Sequence, residues 1–443
     1  MEAIASYFKF GERGTDFWTE VKAGVATFMV MVYIVAVNPS ILAQAGINQT
    51  AAAAATALVA AVMTIFMGIY GNYPFAIAAG LGLNGVVAFG LILGSGLTPA
   101  AAMGVIVWEG IAVTILVVVG LREAILNAVP MAIKRAIGVG IGLFILFIGF
   151  VDGGLIVRPD SGPVPVAFVF PNDWATWLTV IGLLIVVILY VAKVPAALVV
   201  SIIITSIIAL LTGVTHVSDV TASLDFSTLG AFDLGGSFQT LGLLTALLTI
   251  FTIMLADFFD TIGTVTGISE QAGLVTPDGQ VPGVGRVLLV DSIAAIAGGA
   301  AGISSNTTYI ESAAGVAEGG RTGFTSVVVG VLFVFMIFLS PLVALVPYQA
   351  TAPVLILVGF LMCSLMKDIK FDDFEEGFPA LLGLILMPLT FSITVGIGAA
   401  FVAWVGIKVV LRKWGEIHPL MWLVAAAFAV YFGQAAIASI LPK

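Results

Sequence analysis

The chain has 443 residues, of which 60% are hydrophobic and only 9% charged, and its net charge is −9. A soluble globular protein carries roughly 25% charged residues, so this composition excludes a soluble domain and points to an integral membrane protein. One cysteine, Cys363, excludes an internal disulfide, and two histidines, His216 and His418, leave no material for a histidine-built metal site or a Ser-His-Asp triad within the membrane.

The first twenty residues include Glu2, Lys9, Glu12, Arg13 and Asp16 without a signal-type apolar core. They read as a polar cap before the first span. A span needs about 20 mainly apolar residues, and the sequence predicts spans near 20–37, 50–70, 74–94, 98–119, 130–150, 174–192 and 195–213. A polar connector, 214–238, carries Asp219, Asp225 and Asp233. Seven further segments follow near 239–263, 286–302, 304–318, 322–345, 351–366, 377–392 and 394–411, and a last apolar stretch runs 419–440. The expected fold is an all-α membrane protein of about fourteen spans, with a first repeat over 1–213 and a second over 239–443 that includes the terminal apolar segment.

The basic residues support this count through the positive-inside rule. With the N-terminus cytoplasmic, Lys9, Arg13, Lys22, Arg122, Lys134, Arg135, Lys193, Arg286, Arg321, Lys367, Lys370, Lys408, Arg412 and Lys413 all fall inside. Arg158 is then the one basic residue of the outer loops, and Lys443 stays unassigned.

The third segment of each half is unlike an ordinary span. "YPFAIAAGLGLNGVVAFG" (73–90) is interrupted by Pro74 and glycines, and "SSNTTYIESAAGVAEGG" (304–320) is too polar to face lipid. Irregular backbone at membrane depth survives only inside protein or along a cavity. Two interrupted segments at matching positions point to a transporter site built on inverted repeats; the alternative is a pair of re-entrant loops that serve packing. Gly80, Gly82 and Gly85 spell a dinucleotide-type GxGxxG, but no strand–helix alternation surrounds it, so close helix approach is the better reading. No cofactor, metal or nucleic-acid partner is expected.

Acids inside apolar segments mark the candidate site. Asp257 and Asp260, three apart, share one helix face, and a charged side chain at mid-membrane costs at least about 2.5–3.5 kcal/mol by insertion scales. Either they face a polar cavity or they bond backbone amides of a broken helix. Glu311, flanked by Thr307, Thr308 and Ser312, reads as a ligand carboxylate or a helix cap. Asn84 can donate and accept, toward a ring edge or toward its own broken backbone. Phe75 offers a ring face for stacking, and Thr308 and Ile310 complete the expected binding set. Glu109 and Asp291 are read as structural or coupling acids.

Several stretches resemble a known group. "GLGLN" (80–84), "ADFFDTIGTVTG" (256–267) and "TTYIESAAGVAEGGRTG" (307–323) are similar to the purine permeases of the nucleobase–ascorbate transporter superfamily, in particular the azaguanine-sensitive branch that carries adenine, guanine and hypoxanthine. "VKAGVATFMVMVYIVAVNPSIL" (21–42) resembles that branch's first span and "APVLILVGFLMCSLMKDI" (352–369) its twelfth. The resemblance implies two inverted seven-span repeats, a core of spans 1–4 and 8–11 moving like an elevator against a gate of spans 5–7 and 12–14, a homodimer in the inner membrane, and uptake coupled to protons. Carried over by motif position, the base-binding residues fall on Asn84, Asp257 and Glu311, and Asp260 occupies the second acidic position, with Asp257 and Glu311 also available to the proton. The chain departs from the pattern at Ala79 and Leu81, where relatives read "APGMGLN", at Gly85 to Val87, where aromatics are usual, and at Asn306.

The chemistry suits a purine, which is flat and edged with N–H donors and ring acceptors. Carboxylates accept from the N–H groups, and Asn84 with half-helix amides serves the acceptor edge. Two nearby acids repel, and an added proton relieves that cost; Asp260 is the expected carrier. The rivals are a xanthine, uric acid or uracil permease of the same fold, a sulfate-type anion transporter, an intramembrane aspartyl protease and a pore. An anion site calls for positive charge. A protease of that kind sets its two aspartates on separate helices, and a pore needs a continuous polar line. No enzymatic activity is expected.

Overall fold

Helix starts are written locally. Asp16, Asn48, Thr98, Asp173, Thr322 and Ser392 each stand just before a helix and accept a backbone N–H from its first turn. The computed structural model describes residues 2–120, 128–159, 166–217, 223–276 and 281–440. Arg122, Asp219 and Lys443, used in the sequence reading, lie outside these. Among the described residues nine helices are long and apolar enough to cross a membrane.

The first apolar helix is interrupted at Val32 and Tyr33, between Phe17–Met31 and Ile34–Gln44. Pro39 sits inside the second piece and has no N–H to donate to the preceding turn. Helix Gln49–Phe66 continues into a wider, π-wound turn, Met67–Gly71. Strand β1, Ile77–Ala79, then leads through Gly80 into a short helix, Leu81–Gly85, and a π-wound stretch, Val86–Gly94. Helices Pro99–Val119, Met131–Asp152, Trp174–Val191 and Ala197–Leu211 complete the first half. A hairpin of β2, Ile156–Val157, and β3, Ala167–Phe168, lies in the loop after Asp152 and has no counterpart in the sequence reading.

The second half opens with Gly236–Leu241 and the long helix Leu243–Gln271, followed by Val284–Ala300. Strand β4, Asn306–Thr308, precedes a short helix, Ser312–Ala317. Helices Gly323–Leu339, Tyr348–Met362, Phe374–Thr390, Ile393–Val410 and Pro419–Ile440 close the chain.

The halves are tied at their centres. β1 and β4 pair antiparallel, with Ile77 opposite Thr308 and Ala79 opposite Asn306. Gly80 N–H donates to the Ser305 carbonyl and Tyr309 N–H to that of Ala76, and the Tyr309 hydroxyl donates to the Ala79 carbonyl. Every backbone group so satisfied is one fewer to be stranded at membrane depth. The glycines beside β1 admit a neighbouring helix: a Cβ on Gly82 would lie 2.3 Å from Ile141 Cγ2, and one on Gly85 2.7 Å from Ile148 Cδ1. The GxGxxG spacing thus serves packing against Met131–Asp152.

A second tie involves Glu20, which is fully buried. Its carboxylate accepts from Arg321 N at 2.8 Å, Thr322 N at 3.2 Å, Thr325 N at 3.1 Å and the hydroxyls of Thr322 and Thr325 at 2.8 and 2.6 Å. It therefore caps the start of Gly323–Leu339 from another helix. Arg13 adds bonds to the carbonyls of Asn72 and Arg321, both 2.7 Å. Gly315 lets the Ser312–Ala317 helix lie on Ala23 and Thr27, since a Cβ there would meet Thr27 Oγ1 at 2.3 Å.

Candidate functional site

A narrow cleft, with a cavity volume of only about 20 Å³, opens where the β1–β4 pair meets neighbouring helices. Gly80, Gly82 and Leu83 line it from the first broken segment, Thr307 from β4, and Ala256, Asp257 and Asp260 from Leu243–Gln271. Ile141 and Met362 close the opposite wall, from Met131–Asp152 and Tyr348–Met362. The lining contains two acids and no lysine or arginine. One turn of helix separates the acids, and they meet the cleft differently: Asp257 is 1% exposed, whereas Asp260 is exposed.

Neither oxygen of Asp257 has a hydrogen-bond partner of good geometry, so the backbone-amide role is not the one it plays. The Glu109 carboxyl, fully buried on Pro99–Val119, stands beside it. Asn84 is likewise fully buried with both amide atoms unpartnered, although it sits in a segment whose backbone is irregular. Such unmade bonds cost about 1–3 kcal/mol each and need an explanation in a native protein.

Glu311 stands at the start of Ser312–Ala317 but makes no capping bond to that helix. Its Oε1 accepts from the Tyr33 hydroxyl at 2.5 Å, and its carboxylate lies close enough to Asp260 for the two to repel. Tyr33 is thus a partner of a candidate site residue that the sequence reading missed. A tyrosine in an apolar run looks like core, and only the helix break at Val32–Tyr33 sets its hydroxyl against Glu311. Ile310 is 57% exposed and lies outside the cleft lining, as do Asn84 and Glu311.

Two expected contacts are corrected. Phe75 is fully buried and stacks on Tyr73 with centroids 5.1 Å apart, so one face of its ring is already taken within the protein. Thr308 gives both its N–H and its hydroxyl to Asp291 Oδ1, each at 2.7 Å. Strand alternation is the cause: Thr308 and Asn306 point to the Val284–Ala300 helix, where Gly298 makes room for Asn306, while Thr307 between them faces the cleft. The Thr307 hydroxyl lies 2.7 Å from that of Thr261, which donates to Asp291 Oδ2 at 2.7 Å. Asp291 is thus a satisfied structural acid that orients the strand. Among the described residues no group of three or more His, Cys, Asp or Glu is arranged to hold a metal ion.

Residues 19–403 match a family described as a permease family. A permease-family protein of Methanocaldococcus jannaschii is 40% identical over 98% of this chain and 98% of its own. An adenine permease of Escherichia coli is 39% identical over 96% of this chain and 95% of its own, and a guanine/hypoxanthine permease of Bacillus subtilis is 37% identical over 97% and 99%. The chain belongs to this permease family. It is the family of the purine permeases whose motifs the sequence resembles, and its members here are full-length relatives, so the chain is a multi-pass membrane protein. Among solved structures, the transmembrane domain of a cyanobacterium bicarbonate transporter superposes with a TM-score of 0.64 at 15% identity, covering 86% of this permease and 96% of that chain. At that identity the likeness concerns the fold alone.

Proposed function

We propose that this permease carries purine bases, adenine, guanine or hypoxanthine, into the cell together with protons. The observation that supports it most is a pair of unpartnered polar groups, a carboxylate acceptor at Asp257 in the cleft lining and a donor–acceptor amide at Asn84 next to the lining residue Leu83, both buried and both unused by the protein. A flat heterocycle with ring N–H groups and ring acceptors matches that demand, and Glu311, held by Tyr33, supplies a second acceptor. The names of the relatives from Escherichia coli and Bacillus subtilis point to the same substrates. The acids of the lining disfavour an anion.

The reading extends to movement. All fourteen segments cross or enter the membrane in two inverted repeats joined by 214–238, with the N-terminus cytoplasmic and a homodimer as the working unit. The core of spans 1–4 and 8–11 carries β1, β4, Asp257 and Glu311, and the gate of spans 5–7 and 12–14 carries Ile141 and Met362. The cleft lies on the seam between the two sets of residues, which suits an elevator in which base and proton ride on the core. Asp260, exposed to the cleft, takes up the proton first, and Asp257 and Glu311 titrate with it as coupled groups.

Uptake of labelled adenine, guanine, hypoxanthine, xanthine and uracil by cells lacking their own permeases tests the substrate. Accumulation of the purines named above is expected; uptake of xanthine or uracil alone moves the chain to another substrate of the family, and uptake of none removes the reading. Asp260→Asn tests the coupling. Exchange of labelled for unlabelled base should persist while accumulation driven by a proton gradient disappears. Undiminished accumulation by this variant takes the carrier role from Asp260.

A further inference from the structure

Glu109 is an acid that neither the fold nor the binding site explains. It lies eleven residues into Pro99–Val119, fully buried, with Oε1 unpartnered and Oε2 receiving a long bond of 3.4 Å from the Ser305 hydroxyl. From Leu243–Gln271 Asp257 faces it, and from Val284–Ala300 so does Asp291. The neighbouring stretches Gly236–Leu241 and Val86–Gly94 contain no charged residue. Arg286, the one basic residue of Val284–Ala300, is exposed at that helix's start. Asp291 has its own donors in Thr261 and Thr308, so Glu109 and Asp257 are left to each other. Three of their four oxygens have no donor.

Two bare carboxylates side by side, buried and without a cation, are strongly disfavoured by desolvation and by repulsion. One proton between them removes a charge and creates the missing donor. We propose that Glu109 and Asp257 hold a single proton between them, with Glu109 as its resident acid, and that this shared proton is the one whose gain and loss is linked to base binding. The inference rests on the permease reading and adds a residue to it. The proton comes from water through the exposed Asp260 and settles on a Glu109 oxygen, whose O–H then donates to Asp257. Asp257 shares that proton as an acceptor and keeps lone pairs free to accept the N–H of a purine. When the proton leaves, Glu109 becomes a second anion, repels Asp257 and spoils the acceptor geometry, so base and proton leave together. By reciprocity, the proton must strengthen base binding by the factor by which base strengthens proton binding.

Glu109→Gln replaces the resident acid with a permanent neutral donor. In proteoliposomes it should exchange labelled for unlabelled purine yet fail to accumulate it under an inward proton gradient. Its binding should persist in alkaline buffer where the unaltered protein loses affinity. Glu109→Asp should restore part of the proton-driven accumulation, which a packing role would not require. A second readout needs no base: the infrared difference spectrum between acid and alkaline buffer should show a protonated-carboxyl band in the unaltered protein that is missing from Glu109→Gln. An unchanged band, or a pH profile of binding equal to that of the unaltered protein, overturns the proposal. Unaltered vesicles that exchange no purine overturn the permease reading instead, and the infrared band still decides whether the pair holds a proton.

Discussion

Glu20 and Asp257 are both buried acids on apolar helices, and they are treated in opposite ways. Glu20 receives five donors and locks the start of Gly323–Leu339. Asp257 receives none of good geometry, although Asn84 and Glu109 also carry unpartnered atoms under the same irregular strands. The contrast teaches how to sort acids in a membrane protein. Where the chain has satisfied a carboxylate, the group holds the fold; where it has left one wanting, the deficit is kept for something that arrives from outside.

The largest expected effect follows from the deficit. Asp257→Ala or Glu311→Ala should lose detectable purine binding, while the protein reaches the membrane and, for Asp257→Ala, melts little lower than before, because the lost group gives up no bond beyond the proton shared with Glu109. Binding to detergent-purified protein and a melting curve measure the two halves of that statement. A marked fall in melting temperature for Asp257→Ala would erase the contrast with Glu20. Next comes Glu20→Ala, which leaves the donors of Arg321, Thr322 and Thr325 buried without an acceptor. A loss of about 3 kcal/mol or more is expected, seen as a large drop in melting temperature and poor membrane yield. Asn84→Ala should be milder, weakening binding about tenfold, the worth of roughly 1.4 kcal/mol, or changing the preferred base, again without loss of stability.

The smallest effect lies outside the membrane. Asp173 caps Trp174–Val191, and its bonds from the Thr176 backbone and hydroxyl hold its carboxyl below the ordinary carboxylate value. A depressed folded value means that its contribution is present above the unfolded carboxylate range and is lost as the pH falls through the folded value. Asp173→Ala should therefore lower the melting temperature slightly at neutral pH and not at all in strong acid. Equal shifts at both pH values would remove the cap from the argument.

The acids were legible in the sequence because a carboxylate in an apolar run is conspicuous, and Pro74 with its glycines marked the irregular third segment. Side-chain direction was not legible. A three-residue strand has too little periodicity to reveal which face is which, so Thr308 was expected at the site where Thr307 stands, and Phe75 was expected at the cleft, while one face of its ring is taken by Tyr73. Tyr33 was hidden because its role depends on a break between two helices inside the apolar run from Phe28 to Val37. Glu20 passed unnoticed at the head of a span, where an acid normally meets water; only the fold brings it under Thr322 and Thr325.

The pairing of β1 with β4 has a consequence for how the molecule is made. Ile77 and Thr308 are partners, yet about half the chain lies between them. At synthesis rates of roughly 5–20 residues per second, the first strand waits on the order of ten to fifty seconds for its mate. Lipid cannot supply the missing donors and acceptors in that interval. The nascent third segment must therefore remain sheltered by the insertion machinery, or by water, until residues 306–308 have emerged. The first half is thus not a finished unit that later receives a second. It is a half-closed clasp, and insertion ends only when a segment made late in translation returns to the centre of one made early.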